Sequence, residues 1–537
     1  MSRRLEYSLI ALLACGALIF NVLPYIYQGA YTPKDVAAIG AYPVMFDKPT
    51  YLAEMRQGFE GSWKIINRFS HEPQQPVFLY SFYTGLGHVA RITNLSLEQI
   101  FLVSRFVFGL ILLGVVIWTL YSFLKTPEQR VIGALLIFFG SGIGWLPGAP
   151  YQSLDLWIPD FVPMVRFSYF PHFSAAHALF FSCIVLMHSA LRNHTPRHAT
   201  IAGILAGILA VILPFHLLTL YPLIVLLALL LTCKKPVVLK KAAPSLAIFF
   251  ALSLPLFLFQ LSIGLFDPFW RAVEKANILE MPSVDVVIFG TGLLLLFFVG
   301  GIRRMITEQG IIGVFIFLWV FLALLSSYII PLPIHRRFIE IGLFIPLALG
   351  ATYGIQTFFE CLNRKRWGLF TGAFVRMSAV VIVVIGLCGS NVRAWKEFTS
   401  LVDAHNDPRL FMRTDIVEGL RTIEQYSSSS DTILSSFITG NLIPALSNRT
   451  VFLGHGPFTL NLKEKSEQAY LFYTRSIAPS DAYALLESIP ARIIIETPFE
   501  RGEFSTPLNT YYPFLEPVFA NEALTIYHRK ETYEKNN

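Results

Sequence analysis

Asp47 is the carboxylate whose setting most suggests chemistry. It lies in Pro43-Val44-Met45-Phe46-Asp47-Lys48-Pro49-Thr50-Tyr51, shortly after the first long apolar run. An acid so placed could take a proton from an acceptor hydroxyl or amine, which is general-base work. An Asp ahead of a proline-started helix is also a good N-cap, and the two roles are compatible. Asp155 and Asp160 follow in Tyr151-Gln152-Ser153-Leu154-Asp155-Leu156-Trp157-Ile158-Pro159-Asp160. Facing the first acid, either could share a proton or help to hold a divalent metal; solvated loop acids are the plainer alternative. Among basic groups, His335-Arg336-Arg337 suits a phosphate, which guanidinium grips through paired hydrogen bonds. Lipid headgroups would use the same groups, and Glu340 is close enough in sequence to neutralise one of them. Arg166, His172 and His177 open another apolar run. The two histidines are five apart rather than four, so they do not share one helix face and a metal pair is not expected. One of them lining a polar cavity with His216 is the functional reading, and interfacial histidines are the alternative.

The elements that must position these groups are mostly apolar. The chain has 537 residues, 54% of them hydrophobic, and its mean hydropathy is +0.56. Only 14% are charged, against about 25% in soluble domains, so much of the chain meets lipid. The net charge of +7 is spread in short clusters between apolar runs, which points to membrane orientation rather than to nucleic acid. The five cysteines lie in or beside apolar runs, with no CxxC pair and no zinc spacing.

A membrane-crossing helix needs about 20 mostly apolar residues. Runs of that kind occupy 7–27, 100–124, 129–147, 171–191, 199–214, 215–233, 243–264, 284–301, 310–330, 338–359 and 371–390, about eleven in all. The first shares a basic start with a secretory signal, but it is long and ends in Pro24-Tyr25-Ile26-Tyr27 without a small-x-small cleavage site. If the break at Pro214 is a turn rather than a kink, the basic clusters fall on one side of the bilayer. The expected arrangement is then multi-pass in the plasma (inner) membrane, with a cytoplasmic N-terminus and the C-terminal domain outside.

Two segments do not read as spans. In the outer loop 28–99, residues 49–59 form an amphipathic pattern with Tyr51, Leu52, Met55 and Phe59 on one face; Trp63, Ile65, Ile66 and Phe69 continue in similar style. Such helices lie at a membrane interface. The tail turns polar, with helical patterns at 409–426, 462–473 and 480–488 and strand-like runs at 432–434, 450–453, 492–495 and 524–527. That alternation predicts a small α/β domain over 391–537, beside a membrane domain over 1–390 that carries the outer loop. Gly454-His455-Gly456 lacks the spacing of a nucleotide cradle and reads as a tight turn.

A first span, a long outer loop with an early Asp and surface helices, many further spans and an outer tail domain together resemble the GT-C glycosyltransferase superfamily. Bacterial relatives of protein O-mannosyltransferases and aminoarabinose transferases are similar in Asp47-Lys48-Pro49-Thr50-Tyr51-Leu52, Gln57-Gly58 and Trp63, and in 440–445 and 449–456 of the tail. The resemblance implies a polytopic α-helical membrane protein with an extracytoplasmic α/β domain. It also implies inverting transfer of a sugar from a polyprenyl-phosphate donor to a glycan, lipid or protein acceptor. In that family the first-loop acid is the base or a metal-site member, a role that falls on Asp47. The Asp-Glu or Asp-x-Asp pair common there is absent, since Lys48 and Pro49 follow Asp47. Asp155 or Asp160 would then supply the second acid, and Arg336 or Arg337, together with His335, His172, His177 and Arg166, would hold the donor. A transporter or flippase of lipid-linked saccharides, or an inactive GT-C-like binding protein, are the alternatives. Charges at span ends and the lack of matching halves favour the enzyme.

Overall fold

The computed structural model describes residues 1–40, 45–150, 153–158, 161, 170–232, 236–279, 281–330, 335–364 and 369–532. The chain divides into two compact units.

The first unit comprises Met1–Tyr27, Leu102–Leu261 and Ile278–Thr399 and is helical. Each expected span overlaps a helix, and among the described residues eight helices are long and apolar enough to cross a membrane, from Arg3–Tyr31 to the last, within Leu369–Ala404. With its apolar helices, the chain is an integral membrane protein. Three expected spans are modified. The helix Pro127–Phe139 has 13 residues, ending where Gly140 turns the backbone extended, so the expected run to 147 stops early. Pro196–Ile212 has 17 residues. The span expected at 338–359 is split into His335–Gly342 and Phe344–Arg364. Around Pro214 the helix is broken: Pro196–Ile212 ends before it and Phe215–Thr232 begins after it. Helix Pro171–Asn193 is the core of this unit: Phe180 and Phe181 are fully buried and pack on the Trp319 ring.

The second unit comprises Gln28–Phe101, Ser262–Asn277 and Ser400–Asn537. Strand β1 (Val36–Ala38) pairs antiparallel with β2 (Phe411–Arg413), so the start of the helix expected at 409–426 is a strand that needs its distant partner. The helix follows as Thr414–Arg421 and Ile423–Tyr426. A five-stranded sheet has the order β4-β3-β5-β7-β6, with β3 (Thr432–Leu434), β4 (Thr450–Val451), β5 (Ala491–Glu496), β6 (Leu515–Ala520) and β7 (Thr525–Arg529). The pairs β3–β4 and β3–β5 are parallel; β7 runs antiparallel between β5 and β6. Phe472, Ile494, Tyr512 and Tyr527 fill its core.

Helix Asp47–Phe59 does not offer its apolar face to lipid. Eight of its thirteen residues are buried, including Leu52 and Met55, and it packs on helices Phe82–Thr93 and Phe437–Ser447. Side-chain-free crossings make this fit possible: a Cβ on Gly58 would lie 2.1 Å from Thr84 O, and one on Gly87 would lie 2.0 Å from Met55 O. Phe59, expected on the apolar face, is exposed. Residues 63–69 do not continue the helix; Ile65 bridges Val77 in antiparallel fashion and Trp63 stacks on His88.

Candidate active site

The backbone enters its helix one residue earlier than an Asp47 cap requires. Phe46 is the N-cap, with helical φ −82° and ψ −13° and no side-chain capping bond, and Asp47 is the first helical residue. The cap reading of Asp47 is therefore corrected. The cause is an anchor on Phe46: its carbonyl accepts from Asn441 Nδ2 at 3.2 Å, and its ring meets Phe437 edge-on at 5.1 Å. Freed from capping, Asp47 still gains from the positive end of its helix. Its side chain is 30% exposed, and its Oδ1 faces His455 Nε2 at 3.4 Å.

His455 comes from the Gly454-His455-Gly456 turn, and two glycines place it. A Cβ on Gly440 would sit 2.1 Å from Leu453 O, and one on Gly454 would sit 2.5 Å from Gly440 O, so the turn lies directly against the helix that anchors Phe46. Thr459 then ties the loop: its Oγ1 accepts from the Gly454 and His455 amides at 3.2 and 3.1 Å and donates to Phe69 O at 3.0 Å. The His455 ring packs beside Phe69 and Phe458 and is 9% exposed. Its Nδ1 is buried and has no hydrogen-bond partner among the described residues, while its Nε2 faces the Asp47 carboxylate, where an N–H donates. One carboxylate oxygen is thus oriented, and the other is left for a substrate proton.

Behind Phe69 lies a buried ionic brace. Lys465 Nζ meets Glu72 Oε1 at 2.7 Å, and Ser70 Oγ accepts from the Leu460 amide at 2.9 Å. Burial raises the Glu72 carboxyl, but the Lys465 contact and Ser70 outweigh it and hold it below the usual range. Burial lowers Lys465 despite Glu72. The brace fixes 69–72 to 452–465, the segments that flank His455.

The other expected site residues lie in the membrane unit or outside the described residues. Asp155 is 1% exposed, and its Oδ2 accepts from the Gly144 amide at 3.2 Å. Burial pushes its carboxyl up, opposed by Ser390, Ser153 and the Gly144 amide. His172 and His177 are both buried; His177 Nδ1 lies 2.8 Å from Phe173 O, and its ring meets His216 at 5.7 Å. Both ring nitrogens of His216 are buried and have no hydrogen-bond partner among the described residues. Arg337 Nη1 pairs with Glu340 Oε2 at 3.2 Å, and its guanidinium lies over the Phe215 ring. His335 and Arg336 begin the helix His335–Gly342, and their side chains fall outside the description, as do Asp160 and Arg166 altogether. Among the described residues no group of three or more His, Cys, Asp or Glu could hold a metal, and Asp47 with His455 alone does not fit one.

Sequence reasoning reached Asp47 and missed His455. The partner is 408 residues away, and the only local signal was a histidine between glycines.

No known protein-family pattern matches the chain, and no curated protein matches it. Solved structures do. The oligosaccharyltransferase AglB of Archaeoglobus fulgidus superposes with a TM-score of 0.53 at 13% identity, over 92% of this chain and 70% of that one. It is also known in complex with an inhibitory peptide and a dolichol-phosphate. Mycobacterial arabinofuranosyltransferase AftD superposes with a TM-score of 0.54 at 10% identity, over 99% of this chain and 42% of that one. The chain has the fold of GT-C membrane glycosyltransferases.

Proposed function

We propose that this membrane protein is a glycosyltransferase that moves a sugar from a polyprenyl-phosphate donor to an acceptor outside the cytoplasm, with Asp47 as general base. The observation that carries the reading is the Asp47–His455 pair, a part-exposed carboxylate held by a buried imidazole. It stands on a fold whose solved examples are sugar transferases, one of them bound to a dolichol-phosphate.

In the reaction, Asp47 takes the proton of an acceptor O–H as that oxygen attacks the anomeric carbon. The bond from this carbon to the phosphate oxygen breaks, and the polyprenyl phosphate leaves with its electron pair. A single displacement inverts the anomeric centre. His455 is a positioning residue: its Nε2–H fixes one carboxylate oxygen, so the other meets the acceptor without reorganising. Asp155 is assigned to holding Gly144 in place through its amide.

The test is release of polyprenyl phosphate by the protein in lipid nanodiscs, supplied with a panel of polyprenyl-phosphate sugars and envelope acceptors. Wild type should release the carrier, and Asp47→Asn should lose about 10²–10⁴-fold while remaining folded. Donor binding without release from any sugar would turn the reading toward a binding or transport protein.

A further inference from the structure

Beyond the Asp47–His455 pair, the same helix carries a second acid, Glu54, whose buried Oε2 has no hydrogen-bond partner among the described residues. Glu54 lines a cavity with Thr50, Gln57, Asn67, Trp270 and Phe458, about 270 Å³ when counted out to its mouth. Most of that space is open to solvent, and its inner end has room for little more than a hydroxyl-sized group. Nearly every polar side chain of this lining is engaged. Gln57 exchanges two bonds with the backbone of Ile66, Asn67 donates to Phe458 O and accepts from the Phe69 amide, and Thr50 donates to Phe46 O. Among the described residues, two buried atoms of this lining have no partner: Glu54 Oε2 and Trp270 Nε1. Trp270 is 2% exposed, and it is fixed in place because Asp267 Oδ1 caps its helix through the Trp270 amide at 3.0 Å.

Buried polar atoms without partners are rare in folded proteins and call for an explanation. Here the leftovers are complementary: an indole N–H can only donate, while the carboxyl can accept. A ligand hydroxyl does both at once, accepting from Trp270 and donating to Glu54. An ammonium group could not accept from the indole. A phosphate would meet the Glu54 carboxyl, and Arg68, which also lines the cavity, is engaged by Asn448 and Thr450 at 3.2 and 3.1 Å.

The position of the pocket narrows the ligand further. Glu54 is seven residues after Asp47, so the two lie on one face of the helix about 10 Å apart. Phe458, which lines the pocket, also packs on His455. A molecule that offers one hydroxyl to Asp47 and a second some 10 Å away is a short oligosaccharide; a lone serine or threonine side chain offers only one. We infer that Glu54 and Trp270 form a hydroxyl-binding subsite for a saccharide acceptor, two helical turns from the base. The inference rests on the reading of Asp47 as that base. Burial also pushes the Glu54 carboxyl up to about 8, in keeping with an uncharged group that receives a neutral partner.

The experiment separates binding from transfer. Saturation-transfer NMR on the full chain in nanodiscs would use maltotriose, α-mannotriose, chitotriose and an arabinose trisaccharide, beside a serine- and threonine-containing octapeptide. At least one trisaccharide should bind to wild type. Trp270→Phe and Glu54→Ala should each weaken that binding about tenfold, and Glu54→Gln, a neutral isostere, should restore it. If Glu54→Ala does not fold, Trp270→Phe carries the test, since it keeps an aromatic ring and removes the N–H. No trisaccharide binding, binding unchanged by both substitutions, or binding of the peptide alone would each overturn the subsite. Glu54-dependent saccharide binding without any carrier release would instead leave the subsite standing and sink the transferase reading.

Discussion

A carboxylate that faces one imidazole at 3.4 Å, with a third of its surface open, is poised rather than neutralised. The hydrogen bond is long, and such contacts tighten when substrate arrives. His455→Asn should therefore lower kcat about tenfold while the donor KM holds, because only orientation in the transition state is lost. An equal fall in both would assign His455 to binding instead. Glu54 makes a separate prediction about pH. Its folded pKa of about 8 lies above the 4.5 of an unperturbed side chain. The unfolded chain then binds fewer protons within that window, so stability falls as pH rises through it. Thermal unfolding of Glu54→Gln should exceed that of wild type near pH 8 and converge with it near pH 4.5. A constant offset across the range would show that the Glu54 carboxyl titrates normally.

At the scale of elements, the candidate site depends on helices that approach more closely than side chains allow. Gly58 and Gly87 bring helix Asp47–Phe59 against Phe82–Thr93, with Cβ positions about 2 Å from facing backbone. Gly87→Val should cost about 2–3 kcal/mol through overpacking, read as a lowered unfolding temperature and as lost carrier release. The Lys465–Glu72 brace acts on the other side of His455. Lys465→Met removes one partner of a buried pair and should destabilise by about 3 kcal/mol. Replacing both partners by apolar groups should recover most of that loss; no recovery would mean that Lys465 has another role.

For the whole molecule, the basic clusters at span ends predict which side each unit faces. Ser430, in an exposed turn of the tail, offers a point of attack. In a background without the native cysteines, Ser430→Cys should react with a membrane-impermeant maleimide on intact cells. Reaction only after permeabilisation would reverse the orientation and place Asp47 on the cytoplasmic side.

The sequence by itself determined where the membrane helices lie, because crossing a bilayer imposes about 20 consecutive apolar residues, a constraint local in the chain. It also determined the tail elements that carry their own periodicity: Leu462–Tyr473 and Thr432–Leu434 have the bounds their patterns predict. Elements without such a pattern stayed hidden. Strand β6 contains Pro517 and stands at the sheet edge, where a missing N–H is tolerated, and helix Phe437–Ser447 carries Gly440 and Pro444. The candidate site was legible only in part, as an acid in the first outer loop. That Asp47 leaves the cap, meets His455 and shares its helix face with Glu54 beside Trp270 was decided by tertiary structure. Those contacts join three segments far apart in sequence, and a hydrogen bond between distant residues leaves no periodicity behind.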